Sequence, residues 1–97
     1  MLARAGVLDG KRATTNKLSF AWVVGQGPKV KWVKEARWVE DGKVFTSSGV
    51  AAGIDMALAV IAKLCGKETA ELAATQMEYD WHRDAAWDPF AKVHGLV

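Results

Sequence analysis

The chain has 97 residues, half of them hydrophobic and a quarter charged, with a net charge of +2 and one cysteine. These values fit one small globular domain and exclude an internal disulfide. Two histidines and one cysteine, far apart in sequence, supply no metal-ligand spacing, so neither a metal nor another cofactor is expected. The charge is uneven: residues 1–48 carry nine Lys/Arg against four Asp/Glu, and residues 49–97 carry four against seven. The basic residues are scattered and form no stripe, so nucleic acid is not an expected partner. Met1–Leu8 has too little continuous apolar length for a secretory signal, and the lone cysteine fits a reducing compartment. A cytoplasmic location is the expectation.

In chain order, Met1–Leu8 (MLARAGVL) is compatible with a short helix, although no capping residue precedes it. Asp9-Gly10 marks a turn, and Lys11–Thr15 reads as a short strand ending in β-branched residues. Asn16 is placed to cap a helix whose stripe is Leu18, Ala21, Trp22 and Val24. Gly25, Gly27 and Pro28 end it. Val30–Val33 is a short extended candidate. Ala36–Glu40 and Lys43–Ser47 flank Asp41-Gly42, the strongest hairpin signal in the chain.

Val50–Cys65 follows, apolar except at Gly53, Asp55 and Lys63. A helix so apolar on nearly every side must be covered on nearly every side, and it is too short and too charged to span a bilayer. Ser47 or Ser48 is expected to cap it. The strand-to-helix turn has free amides and the positive end of the helix dipole, which favour an anion. On the residues alone the favoured reading is a capped packing helix whose glycines admit a close neighbour.

Gly66 is the expected end of that helix. Lys67–Tyr79 reads as a further helix with Ala70, Leu72, Ala73 and Met77 on its apolar side. Cys65 is expected to be a small buried hydrophobe, because the C-terminal end of a helix opposes a thiolate. His82 lies in a charged run, Tyr79–Asp84, whose side chains are expected to face solvent or cap a helix end. Residues 80–97 form an irregular tail, in which Trp81 and Trp87 mark a possible subunit contact. Three or four helices on two to four short strands leave too few strands to enclose the central helix. The chain therefore reads as one partial α/β domain, residues 1–97, with something missing upstream.

Three ordered blocks, LARAGVLDGKRATTN, RWVEDGKVFTSSGVAAGIDMAL and MEYDWHRD with WDPFA, resemble the C-terminal half of the ThiJ/PfpI superfamily. The resemblance implies a flavodoxin-like, class I glutamine amidotransferase-like α/β sandwich with a β-hairpin and its N-terminal half missing. It places the family's cysteine nucleophile and its acidic partner before Met1, so no catalytic residue is expected in this chain. The histidine that many members carry falls on Asn16, which cannot act as a general base near neutral pH. By the same resemblance Thr14, Thr15 and Asn16 line one wall of the pocket, and Ser48, Gly49 and Val50 line another. Intact relatives resemble cysteine-dependent hydratases (isonitrile hydratase-like), hydrolases or glyoxalase-like stress proteins. A small-molecule substrate and a homodimer are then the expected partners. The alternative is a non-catalytic oligomerisation or ligand-sensing module, as in related transcription regulators.

Overall fold

The computed structural model describes residues 2–97. Met1, the first residue of the expected opening helix, lies outside them. Leu2–Gly10 form consecutive turns and no helix, because Gly6 and Gly10 both take positive φ, at 84° and 75°. Ala3 and Leu8 still reach the interior, where they cluster with Ala13 and Val30.

The expected strand at Lys11–Thr15 shrinks to β1 (Arg12–Ala13), and the next to β2 (Lys31–Trp32). They pair in parallel, Arg12 with Lys31 and Ala13 with Trp32. Helix α1 (Phe20–Gln26) lies between them in sequence, the crossover a parallel pair requires. Its expected stripe is corrected: Leu18 and Trp22 are 77% and 70% exposed, and Phe20 is the buried residue. Asn16 caps the turn before α1, not α1 itself, since its Oδ1 accepts from the Leu18 and Ser19 amides at 2.9 and 3.4 Å. That turn delays the helix and rotates its stripe. Phe20 packs edge-to-face on Trp32, with centroids 6.3 Å apart. Gly27 cannot be larger, because a Cβ there would meet Ala3 at 2.9 Å.

Strands β3 (Trp38–Asp41) and β4 (Val44–Ser47) form the expected antiparallel hairpin, from Trp38 opposite Ser47 to Asp41 opposite Val44. The two-residue loop is Gly42-Lys43, one position later than the Asp-Gly signal suggested. Positive φ at Gly42 alone fits a type II′ turn. The hairpin and the parallel pair stay separate as two-stranded sheets. Side chains bridge them: Asp41 Oδ2 accepts from the Arg12 amide at 2.7 Å, and Thr46 Oγ1 from the Thr14 amide at 2.9 Å.

Helix α2 (Val50–Cys65) begins at Gly49, whose extended backbone is the N-cap. Neither Ser47 nor Ser48 caps it. Only Ala52, Asp55 and Leu58 are buried, a single stripe one turn apart, so the expected enclosure on nearly every side is not found. Val50 and Leu64 are 89% and 76% exposed. Gly66, at φ 99°, ends α2 as expected, and α3 (Lys67–Gln76) starts at once. It stops three residues short of Tyr79, and Ala70 and Ala74 face inward while Leu72 and Met77 face solvent. The tail is irregular apart from one turn, α4 (Phe90–Val93). Among the described residues no helix is long and apolar enough to cross a membrane.

Leu58 is the largest apolar side chain fully withdrawn from water. Leu58→Ala is expected to lower the unfolding free energy by about 2–5 kcal/mol, measured by urea denaturation. Exposed Leu72→Ala should change it by no more than about 0.5 kcal/mol.

Candidate pocket at the head of helix α2

The loop after β1 and the turn from β4 into α2 face each other across a cavity of about 260 Å³. Asn16, Ser48, Gly49 and Val50, four of the six residues expected to line a pocket, meet there. Thr14 and Thr15 do not. They line a second, larger trough of about 460 Å³ with Leu8, Trp32, Phe45 and Met56. Thr14 is occupied on that side: its amide donates to Thr46 Oγ1 and its hydroxyl to the Val33 carbonyl. Asn16 Oδ1 is taken by its own turn, which leaves the amide nitrogen toward Gly49, 3.9 Å from where a Cβ would stand.

Two buried cations border the cavity, and each has a counter-ion. Lys17 Nζ donates to Thr14 Oγ1 at 2.6 Å and to the Thr15 carbonyl at 2.9 Å. It also lies 3.3 Å from Asp88 Oδ2, with both side chains almost wholly buried. Burial pushes the Lys17 pKa below its ordinary value of 10.5, and Asp88 opposes that shift. Arg37 Nε donates to Asp55 Oδ2 at 3.0 Å, and its Nη2 reaches the same oxygen. Asp55 Oδ1 accepts from the His82 amide at 2.9 Å. The formal charges of the two pairs cancel.

Tail residues close the cavity. Asp88, Phe90 and His94 form its remaining wall, and reading the sequence did not anticipate them, nor Lys17 and Arg37. The available signal was Asp55: an acid inside an apolar helix needs a buried cation, and Arg37 is one of the basic residues closest to the hairpin. His82 is exposed, and its ring lies against Trp87 with centroids 5.0 Å apart. The side chain faces outward as expected, while its backbone holds Asp55. Cys65 corrects the sequence reading, for it is exposed. Cys65 stands seven residues on from Leu58, on the same side of α2, but residues 63–69 are all exposed, so nothing covers the helix at that end. Cys65 lies about 22 Å along the helix from the cavity at 1.5 Å per residue. Among the described residues no cluster of three His, Cys, Asp or Glu could hold a metal ion.

Residues 1–63 match the DJ-1/PfpI family. An isonitrile hydratase from Pseudomonas putida is 43% identical over 81 residues, which are 81% of this chain and 33% of the hydratase. The crystal structure of a DJ-1 superfamily protein from Salmonella typhimurium, a cysteine-to-alanine mutant, matches with a TM-score of 0.65 at 28% identity. The match covers 82% of this chain and 41% of that one. The fold is thus of the flavodoxin-like, class I glutamine amidotransferase-like α/β type. The chain belongs to the DJ-1/PfpI family, also called ThiJ/PfpI. It spans less than half the length of the relatives it matches.

Asp55→Ala would strand the Arg37 guanidinium and free the His82 amide together. A loss of about 3–5 kcal/mol in unfolding free energy is expected, with faster tryptic cleavage at Arg83. Lys17 is expected to titrate below the ordinary lysine value of 10.5 when followed by 13C NMR at Cε. In that alkaline window the unfolded chain binds more protons than the folded one. Stability should therefore rise with pH until the unfolded lysine deprotonates near 10.5. Lys17→Arg should abolish the low titration.

Proposed function

We propose that residues 1–97 are the C-terminal part of a single DJ-1/PfpI-type domain and supply pocket walls to a small-molecule hydratase or hydrolase. The meeting of the β1 loop and the α2 turn around one cavity, in a chain 43% identical to part of an isonitrile hydratase, carries this reading. Asn16, Ser48, Gly49 and Val50 would be the contributing wall, with Thr14 and Thr15 set behind them. The chain alone performs no catalysis. Covalent chemistry needs an activated nucleophile, and its cysteine sits at the far end of α2 from the cavity. A reducing cytoplasm suits this role.

A second reading, a non-catalytic oligomerisation or ligand-sensing module, draws on the open trough. Leu2, Leu8, Trp32, Phe45 and Met56 line it, and Leu18, Trp22 and Phe90 are exposed elsewhere. On that view a second copy covers apolar surface and the module is a homodimer.

Purified 1–97 is expected to show no isonitrile hydration or methylglyoxal turnover above a Cys65→Ala control. Mixed with the separately expressed remainder of the Pseudomonas putida hydratase, it should form a compact one-to-one complex. Turnover by the chain alone that disappears in Cys65→Ala would overturn the proposal. A stable dimer by sedimentation, indifferent to the added half, would favour the module.

A further inference from the structure

Neighbouring parallel strands pair through alternate residues. Lys31 and Val33 turn their amides toward β1, donating to the Lys11 and Ala13 carbonyls at 2.8 Å, and the Lys29 carbonyl accepts from the Gly10 amide at 2.8 Å. Trp32 lies between them, so its N–H and C=O point the other way, to the outer edge of β2. No strand pairs there among the described residues. The outer edge of β1 is treated differently. Its Arg12 and Thr14 amides are taken by the Asp41 and Thr46 side chains of the hairpin. One edge of the pair is closed and the other is open.

Charge gathers at the open edge. Arg12 and Lys31 stand directly opposite each other across the ladder, both exposed, and like charges so placed repel. Lys29 is exposed two residues before Lys31, on the same face, and exposed Lys34 follows β2. No acid occurs in the sequence between Asp9 and Glu35. Among the described residues none of these four cations is in an ion pair. Asp41 reaches β1, but its carboxylate is turned to the Arg12 amide.

That charge selects the occupant. A second β2 would set lysine against lysine, so the edge disfavours a copy of this chain. Single-stranded nucleic acid is held by stacking as well as by charge. Here the Trp32 ring packs on Phe20 and donates its Nε1 to the Gly27 carbonyl at 3.0 Å. Unpaired backbone at strand spacing is satisfied by another strand, whose alternate side chains fall beside Lys29 and Lys31.

We propose that the open edge of β2 receives an extended protein segment with carboxylates at alternate positions, its backbone pairing with Trp32 and its acids beside Lys29 and Lys31. This goes beyond the pocket-wall reading and does not depend on it.

The test titrates the whole 15N-labelled chain with the peptide acetyl-TEVEVT-amide and with its TQVQVT and TKVKVT counterparts. The acidic peptide should give saturable shifts at Lys31, Trp32 and Val33 and slow the exchange of the Trp32 amide. The glutamine peptide should bind about tenfold more weakly, and the lysine peptide more weakly still. Affinity for the acidic peptide should fall about tenfold between about 50 and about 500 mM salt. The chain carrying Lys29→Glu and Lys31→Glu should prefer the lysine peptide, its dispersed spectrum showing the fold intact. Equal binding of the acidic and lysine peptides would overturn the proposal. So would shifts confined to other residues, binding by none of the peptides, or tighter binding of a thymidine hexanucleotide at the same residues.

Discussion

Asp55 is the one acid in the apolar run of α2, and it is wholly buried. An ionised carboxylate in that setting costs several kcal/mol unless its lone pairs are filled. Arg37 takes one oxygen, and the backbone of His82 takes the other. The Arg37 backbone is committed as well. Its amide donates to the Ala85 carbonyl at 2.6 Å, and its carbonyl accepts from the Ser48 amide at 2.7 Å. One residue at the foot of the hairpin therefore fixes the turn into α2, the helix itself and the tail. Displacing any of these would expose a buried charge, and that penalty gives them a single arrangement.

The second buried pair extends the same constraint. Asp88 approaches Lys17, Lys17 donates to Thr14, and Thr14 donates to the Val33 carbonyl at 2.9 Å just beyond β2. The tail is thereby tied to the parallel strands as well as to α2. From the second tie onward it borders the cavity, at Asp88, Phe90 and His94. The family match ends at residue 63, so the wall contributed by Asp88, Phe90 and His94 is added by residues beyond that match.

What the sequence disclosed follows from how local each cause is. The hairpin, the stop at Gly66 and the irregular tail depend on backbone chemistry at one or two residues, and these were legible. The stripe of α1 was not, because Asn16 spends its side chain on a preceding turn and the helix begins later. The apolar run of α2 promised enclosure that the present elements do not provide. Cys65 inherited that promise and was misplaced with it. Of the pocket residues, the resemblance brought forward those near the two turns. Lys17, Arg37 and Asp88 act through partners 71, 18 and 71 positions away, respectively (Lys17–Asp88 and Arg37–Asp55), which no local pattern displays.

The surface left uncovered has a definite energetic meaning. Burying one exposed leucine, valine or phenylalanine is worth roughly 1.5–3 kcal/mol, and Leu2, Leu18, Val50, Leu64 and Phe90 all stand exposed. Of these only Leu2 borders the trough, while Leu18, Val50 and Phe90 border the cavity. The trough and the cavity at the head of α2 share no lining residue. A protein partner seated on Leu8, Trp32, Phe45 and Met56 therefore need not dislodge the tail from Lys17 or unpair Asp55. β4 and the turn after it join the two: Ser47 borders the trough and Ser48 borders the cavity.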